Sequence, residues 1–292
     1  MTLAFLLLLL GGGIPAQLPG VEQQRFLEVA GETRSFRFYV PRSYQSGRPI
    51  PLVLVFHPAG GKGRGIARHT GFTEMAEREG FAVAYPDRIG GRWNDGRRPS
   101  GRDDVGFVRV LLDSLSRELT LDSSRLYATG ISNGAMFSYR LACDLPGVFA
   151  AVAPVAGALP ANLARRCAPA QPVSVIAFQG TSDRSLPYEG GGSPPATVLS
   201  AERSVTFWAE AAACDSVSAV ATVSDSVRDG TRLRRLSYPN CAARRSVVLY
   251  TIEGGGHTWP GGSESSSRVG RVSREINATR AIWDFFRDHP KS

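Results

Sequence analysis

The stretch that decides the fold is Leu126-Tyr127-Ala128-Thr129-Gly130-Ile131-Ser132-Asn133-Gly134. A short apolar run leads into a serine flanked by glycines, and a helical pattern over 133–145 follows it. A G-x-S-x-G turn between a strand and a helix is typical of a strained turn that holds the serine hydroxyl above the sheet edge. Glycine at both flanks allows so sharp a turn because it has no side chain to collide. The pattern predicts that Ser132 is a nucleophile.

Apolar runs without alternation recur along the chain, and each ends in Gly, Pro or a polar residue. They cover 51–56, 81–85, 126–129, 149–155, 173–178 and 247–252. Such runs are typical of parallel strands covered on both faces. Helical patterns lie between them at 72–79, 105–119, 133–145, 201–213 and 278–286, with Asp103 or Asp104 as a candidate cap. This alternation predicts a mostly parallel sheet with helices on both faces, which together with the serine turn is the α/β-hydrolase fold.

The flanks of these runs add two expectations. The alternating segment 34–40 predicts an antiparallel edge strand. No long linker interrupts the chain, so we expect a single catalytic domain over 25–292.

A nucleophilic serine needs a base beside it, and the chain contains four histidines. His257 lies in GGGHTWP (254–260), after the last apolar run and before the last helical pattern, so its loop is expected over the same sheet edge as Ser132. His57 ends a strand, where its ring is expected to brace loops. His69 lies in a polar helix-entry region, and His289 lies near the carboxyl terminus. The position predicts His257 as general base.

The base needs a carboxylate that fixes its tautomer, and the chain order in this fold is nucleophile, acid, histidine. Asp183 follows the apolar run 173–178 by one loop and fits that order. Asp215 and Asp225 also lie between the serine and the histidine, but they follow helix or loop segments. The alternative role for Asp183 is local bonding within a turn.

Acyl transfer also needs backbone donors directed at the developing oxyanion. The N–H of Asn133, next to the predicted nucleophile, is one candidate. The second is expected from the loop after 51–56, where Pro58 has no N–H. Ala59 is therefore the choice, with Gly60 as the alternative.

Composition excludes several classes of protein. The 292 residues are 42% hydrophobic and 21% charged, which is ordinary for a globular chain. The net charge of +8 comes almost entirely from scattered arginines, which indicates either genomic Arg-for-Lys bias or a basic surface for acidic polysaccharide. No basic-aromatic module predicts nucleic-acid binding. Without an H-E-x-x-H motif and with few histidines, we expect neither metal nor cofactor.

The amino terminus and the cysteines predict export. Residues 1–16 contain a short apolar run and a small-residue site, typical of a signal peptide, although a buried strand or helix is the alternative. The run is too short to anchor the chain stably in a membrane. We therefore expect a secreted protein, extracellular or periplasmic, in which the cysteines form two disulfides. The favoured pairs are Cys143–Cys167 and Cys214–Cys241, because sequence neighbours close shorter loops. Three connectivities, or four buried thiols, stay open.

Several motifs together resemble one family. They are WNDGR (93–97), DDVGF (103–107), GISNG (130–134), the segment 149–157, GTSD (180–183) with PY (187–188), and GGHTWPG (255–261). From about residue 34 to 287 the chain resembles the polyhydroxybutyrate depolymerase and feruloyl esterase family of secreted α/β-hydrolases.

The resemblance implies hydrolysis of a carboxylic ester through a serine acyl-enzyme, with Ser132, Asp183 and His257 as the triad. The implied substrate is a polyhydroxyalkanoate-type oligoester or a feruloyl or acyl ester of a plant polysaccharide. The resemblance also supports the Cys214–Cys241 pair. Two alternatives are a serine peptidase of the same fold and a non-catalytic adhesin or binding protein.

The resemblance further implies four substrate-binding residues near the pocket rim, namely Trp93, Asn94, Tyr188 and Trp259. Exposed aromatic side chains beside a nucleophile suit an aromatic or apolar acyl group. The alternative for 93–95 is a structural loop anchor.

Overall fold

One mixed sheet organises the part of the chain that the computed structural model describes, residues 18–98, 101–216, 219–263 and 269–291. Its order is β1-β2-β4-β3-β5-β6-β7-β10-β9-β8. The strands are β1 (Gln23–Val29), β2 (Glu32–Tyr39), β3 (Ile50–Phe56), β4 (Ala82–Pro86), β5 (Leu121–Ile131), β6 (Ala151–Val155), β7 (Ser174–Gly180), β8 (Ala219–Ser224), β9 (Arg232–Tyr238) and β10 (Val247–Glu253).

The centre of the sheet is parallel and buried. β4, β3, β5, β6, β7 and β10 pair in parallel in that order. Every residue of β3, β4, β6 and β7 is buried, which explains why their sequences lack alternation. Each of the six predicted apolar runs forms one of these strands, with bounds shifted by a few residues. The prediction of a mostly parallel sheet is confirmed.

Antiparallel strands extend the sheet at both ends. β1 pairs with β2 and β2 with β4, while β9 and β8 continue from β10. The prediction of an antiparallel strand at 34–40 is right in direction but wrong in position, because β1 pairs outside β2 and becomes the edge. Alternation in β2 reflects a face of buried Phe36 and Phe38 opposite half-buried residues.

Helices cover both faces of the sheet. They are α1 (Gly63–Thr70), α2 (Phe72–Glu79), α3 (Asp104–Glu118), α4 (Asn133–Asp144), α5 (Ala161–Arg166), α6 (Ala201–Ala211) and α7 (Ala278–Asp288). The buried faces of α3, α4 and α6 belong to one apolar cluster, and those of α1, α2 and α7 belong to another. Asp103 caps α3, its carboxylate accepting the Gly106 N–H at 2.7 Å. The sheet therefore lies between two layers of helices, and the carboxyl ends of its parallel strands lie along one edge, together with the loops that follow them.

Two disulfides join Cys143 to Cys167 and Cys214 to Cys241, which is the predicted pairing. The first ties the last turn of α4 to the residue after α5, and the second ties the chain after α6 to the segment after β9. The predicted signal peptide 1–16 lies outside the described residues. Within the described ranges, no helix is long and apolar enough to cross a membrane.

Removing the Cys143–Cys167 bridge is expected to destabilise the fold without stopping turnover. The bridge spans a sequence separation of 24, and the loop-entropy relation for such a loop gives about 3.5 kcal/mol. C143S/C167S is expected to lose about that much free energy of unfolding in urea. The wild type with reductant is the control, because it loses both bridges and should be the less stable of the two. A variant with an unchanged urea midpoint would show that the bridge adds no stability.

Candidate active site

Ser132 occupies a strained turn between β5 and α4. Its backbone has φ 60° and ψ −121°, a conformation that costs energy for any residue with a side chain. The Ser132 N–H donates to the Val155 carbonyl at 3.0 Å, which holds the turn against β6. A Cβ at Gly130 would lie 2.6 Å from the Phe56 carbonyl oxygen, and one at Gly134 would collide with the same atom. The two flanking glycines are therefore required by the approach of β3.

Asp183 and His257 form a close pair in the loops after β7 and β10, two neighbouring parallel strands. Asp183 follows β7, and its Oδ2 accepts from Nδ1 of His257 at 2.7 Å. The Asp183 side chain is fully buried, whereas 12% of the His257 side chain is exposed. The Asp183 Oδ1 accepts the N–H groups of Ser185 and Leu186 at 2.8 and 2.9 Å. These bonds fix both carboxylate oxygens, so the imidazole is held with its Nε2 free to face the pocket.

Gln179 supports the Asp183 carboxylate, and the sequence alone does not single it out. Its Nε2 donates to Oδ2 of Asp183 at 3.1 Å and to the Leu186 carbonyl at 2.8 Å. It thereby supports the same oxygen that His257 contacts. The available signal was a glutamine four residues before Asp183, at the end of an otherwise apolar strand.

The loop that carries His257 is fixed by backbone bonds. The His257 N–H donates to the Val269 carbonyl at 2.6 Å, and the Gly256 N–H donates to the Arg271 carbonyl at 3.0 Å. Any Cβ at Gly256 would meet Val269 or Gly270. Gly256 therefore allows two backbone segments to pack closely, and the loop places the His257 ring in the pocket that Ser132 also lines.

Ser132 and His257 line one pocket of about 460 Å³, which we call the serine pocket. Most of its other lining is apolar, and it includes Pro58, Ala59, Ile66, Ile131 and Val269. Its volume lies in the range of ordinary small-molecule sites. Lys62 and His69 also line it. His69 lies in the last turn of α1 and not in the polar helix-entry region expected from the sequence. Burial lowers the pKa of His69, which favours the neutral ring.

The predicted oxyanion donors lie beside the serine. Ala59 lines the serine pocket, and its N–H has no hydrogen-bond partner among the described residues. The N–H of the alternative, Gly60, is occupied because it donates to the Gly91 carbonyl at 2.9 Å. The first residue of α4 is Asn133, whose N–H is one of the free donors that every helix amino terminus presents. This arrangement favours Ala59 over Gly60.

The side chain of Asn133 joins the serine turn to the loop at 93–95. Its Oδ1 accepts the Trp93 N–H at 2.6 Å, and its Nδ2 donates to the Trp93 carbonyl at 3.1 Å and to Oδ2 of Asp95 at 2.7 Å. Asn133 and Asp95 are both buried. From the sequence, only the backbone N–H of Asn133 is expected to contribute to the site. In the structure its buried side-chain amide also connects the serine turn to the 93–95 loop.

Three of the four predicted substrate-binding residues are buried. Trp93, Tyr188 and Trp259 are 2%, 8% and 1% exposed, so the expectation of exposed aromatics beside the serine is wrong for them. Their polar atoms bond inside the protein. The Trp93 indole N–H donates to the His57 carbonyl, the Trp259 indole N–H donates to Thr279, and the Tyr188 hydroxyl contacts Thr251 and Glu202. Burial raises the pKa of Tyr188 to about 12.

Asn94 is half-buried and lines a different cavity from Ser132. Its backbone N–H donates to Asp104 at 2.8 Å, and its side-chain amide donates to the Arg102 carbonyl at 3.0 Å. The contacts of Trp93, Asn94 and Asp95 fit the alternative interpretation of 93–95 as a structural loop anchor.

His57 braces loops, as expected. Its Nδ1 lies 2.8 Å from the Pro58 carbonyl, and its Nε2 accepts the Arg88 N–H at 3.3 Å. A carbonyl only accepts and an amide N–H only donates, so the ring is neutral with its proton on Nδ1. Burial lowers the pKa of His57 in the same direction. Both ring nitrogens are occupied, so His57 is not available as a base. Of the two histidines that line the serine pocket, His257 is the one that a buried carboxylate orients.

The described residues hold no group of three or more His, Cys, Asp or Glu side chains suited to a metal ion. The serine pocket brings together a hydroxyl on a strained turn, an imidazole oriented by a buried carboxylate, and the backbone N–H of Ala59. A parallel sheet with this serine turn after its central strand defines an α/β-hydrolase.

Comparison with known proteins gives the family. The family model described as esterase PHB depolymerase matches residues 34–183, slightly more than half of the chain. NocK of Nocardia uniformis subsp. tsuyamanensis, whose name assigns it to the esterases, is 32% identical over 89% of this chain and 81% of its own length. The chain belongs to the PHB depolymerase esterase family, as the resemblance predicted.

Two further similarities refine this placement. Feruloyl esterase B of Piromyces equi is 29% identical over 74% of this chain, which spans 41% of that enzyme's length. The solved structure of an acetyl xylan esterase from Aspergillus awamori superposes with a TM-score of 0.64 at 17% identity, over 90% of this chain and 99% of that one. The structural similarity confirms the α/β-hydrolase fold. The protein is a carboxylic ester hydrolase.

Proposed function

We propose that this esterase, acting as one catalytic domain over 25–292, cleaves its ester through Ser132, His257 and Asp183 by way of an acyl-enzyme. The Ser132 hydroxyl attacks the ester carbonyl carbon while Nε2 of His257 takes its proton. The same nitrogen then returns the proton to the departing alcohol oxygen, and the ester C–O bond breaks. A water molecule, deprotonated by His257, then attacks the acyl carbon. The bond to Oγ of Ser132 breaks, His257 returns the proton to that oxygen, and the acid is released.

The observation that carries this proposal is the 2.7 Å contact between His257 and Asp183 on a histidine that shares its pocket with Ser132. A buried carboxylate on Nδ1 keeps the ring proton there and leaves Nε2 as the acceptor that a serine needs. The N–H groups of Asn133 and Ala59 are the proposed oxyanion donors. Loss of one such donor typically lowers kcat by about 100- to 1000-fold.

The proposed substrates are acyl esters of plant polysaccharides, with hydroxyalkanoate oligoesters as the second candidate. Relatives named as feruloyl and acetylxylan esterases support the first, and the name of the matching family supports the second. The apolar lining of the serine pocket suits the acyl group of either. The two disulfides and the apolar segment at 1–16 support export to an extracellular or periplasmic site.

A panel of esters tests the class of reaction and the substrate together. We expect hydrolysis of p-nitrophenyl acetate, methyl ferulate and acetylated xylan, with slower hydrolysis of hydroxybutyrate oligomers. The matched amide, p-nitroacetanilide, is the control, and we expect it to react at least about 1000-fold more slowly because its leaving group is far harder to expel. Equal cleavage of amide and ester would favour a peptidase. An inert wild type across the whole panel would contradict the proposal.

A further inference from the structure

A second cavity of about 480 Å³ lies under the loop after β4, and we call it the arginine cavity. Five guanidinium groups and one carboxylate are among its lining residues, namely Arg88, Arg92, Arg97, Arg98, Arg102 and Asp95. The proposed mechanism uses none of these arginines. Such an excess of one sign of charge in a concave site attracts anions.

Internal ion pairs neutralise only part of this charge. Asp95 is committed to Arg97, with an N–O distance of 2.7 Å. Arg102 contacts Glu32 at 2.9 Å, but both side chains are at least 40% exposed, so water weakens that pair. Arg92 and Arg98 are exposed and form no ion pair with any residue in the described ranges.

Arg88 is largely buried and shares the carboxylate of Asp104 with Arg34. Its side chain is 15% exposed, and its Nε lies 3.9 Å from Oδ2 of Asp104, whose other oxygen is bonded to Arg34 at 2.8 Å. The Nε and Nη1 atoms of Arg88 are buried with no hydrogen-bond partner in the described residues. Burial lowers the pKa of Arg88, Asp104 opposes that change, and neighbouring guanidinium groups add to it. Protein covers both of these atoms, so a ligand in the cavity would meet the positive charge of Arg88 and not these two donors.

Hydrogen bonds join residues of the arginine cavity to the loops that carry the serine pocket. Trp93 and Asp95 line it, and both are bonded to the side chain of Asn133, the residue after Ser132. The Arg88 N–H donates to His57, which precedes the Pro58 and Ala59 lining of the serine pocket. These bonds place the arginine cavity next to the two segments that carry Ser132 and Ala59.

We propose that the arginine cavity binds a carboxylate carried by the alcohol portion of the ester, so that between otherwise identical esters the enzyme prefers a leaving group with a free carboxylate over its neutral form. The inference rests on the proposed function. The apolar serine pocket suits the acyl group, which leaves the polar cavity for the alcohol portion. Guanidinium forks bind carboxylates through two parallel hydrogen bonds, and the exposed Arg92 and Arg98, which form no ion pair in the described residues, can offer such forks. Such a carboxylate occurs on a uronic acid sugar and at the end of a hydroxyalkanoate oligomer.

Paired substrates that differ only in the carboxylate test this inference. One pair is O-acetylated glucuronic acid and its carboxamide, and the other is the hydroxybutyrate dimer and its carboxamide. The wild type should favour at least one acid over its carboxamide by about tenfold or more in kcat/KM, the usual effect of one charged hydrogen bond. The pair that shows the preference identifies the source of the carboxylate. The preference should shrink in high salt, because the outer arginines are exposed.

The R92Q/R98Q variant removes two exposed charges from the cavity, and we expect it to lower that preference about tenfold. Hydrolysis of the carboxamides and of p-nitrophenyl acetate should stay within about twofold. The matched control is R48Q/R117Q, which removes the same net charge at two exposed arginines outside the cavity. It should keep the preference, since only a field from the whole protein would respond to both variants equally.

A binding measurement separates failure of this inference from failure of the proposed function. Calorimetry with S132A should detect glucuronate or hydroxybutyrate but not glucose, and R92Q/R98Q in that background should weaken the binding about tenfold. Phosphate binding with no carboxylate preference would assign the cavity to free oxyanions and overturn the inference. Equal turnover of acid and carboxamide by an active wild type would overturn it too. Undiminished turnover by S132A would instead remove the proposed function.

Discussion

S132A is expected to retain the fold and to lose ester hydrolysis almost completely, with kcat reduced by about 10⁵- to 10⁶-fold. The physical reason is that the proposed acyl-enzyme has no other oxygen on which to form. What remains would come from the oxyanion donors and substrate binding alone. The measurement is kcat for p-nitrophenyl acetate, together with labelling by a fluorophosphonate probe. Labelling requires an activated serine, so it also discriminates against a non-catalytic binding protein.

S132G provides a matched control for that experiment. It removes the same hydroxyl, but glycine tolerates the φ of 60° and ψ of −121° at this position without strain. We expect S132G to be equally inactive and about 1 kcal/mol more stable than S132A toward urea. A S132A variant that kept more than a tenth of the wild-type kcat would contradict the assignment of Ser132 as nucleophile.

D183N is expected to lower kcat by about 10⁴-fold with little change in the fold. The hydrogen bonds explain why. The Ser185 and Leu186 N–H groups both donate to Oδ1, so the amide oxygen of the variant must take that place. Its NH₂ group then faces Nδ1 of His257. A donor there forces the ring proton onto Nε2, and the nitrogen that should accept from Ser132 can no longer do so.

D215N is the control for D183N, because Asp215 also lies between serine and histidine in the sequence but is exposed and contacts only Asn240 in the described residues by its side chain. Its kcat should stay within about twofold of the wild type. Nitrogen NMR of the imidazole in D183N should show the proton on Nε2. A ring still protonated on Nδ1, with kcat near that of the wild type, would contradict the role assigned to Asp183.

The parts of the fold that the sequence predicts are those with a single physical cause. Strands such as β3 and β7 are buried on both faces, so apolar composition alone identifies them. The turn at Ser132 is identifiable because its backbone requires glycine on both sides. Asp183 and His257 follow from chain order and strand ends. In each case the local sequence must satisfy a constraint that few other sequences satisfy.

The parts that the sequence does not predict depend on partners distant in the chain. The sequence of β9 is RLRRLSY, and its three arginines are more typical of a loop than of a strand. Two of them, Arg232 and Arg234, form ion pairs with Glu253 of the neighbouring strand β10, which the local sequence does not reveal. α1 begins without a side-chain cap, and α5 has only six residues. The aromatic predictions were wrong because Trp and Tyr carry a polar atom that suits either a pocket rim or a buried bond. The indole N–H of Trp259, for example, donates to the hydroxyl of Thr279 in the core.

The amide of Asn133 has a consequence for redesign of the enzyme. It bonds the 93–95 loop directly to the backbone that carries the nucleophile. Grafting a foreign loop in that place, in order to change which alcohol is released, would leave a buried amide without partners and loosen the serine itself. In the proposed mechanism, selectivity for the departing half of the substrate and the rate of the first step are thus mechanically linked, and a successful graft must bring its own replacement for all three bonds.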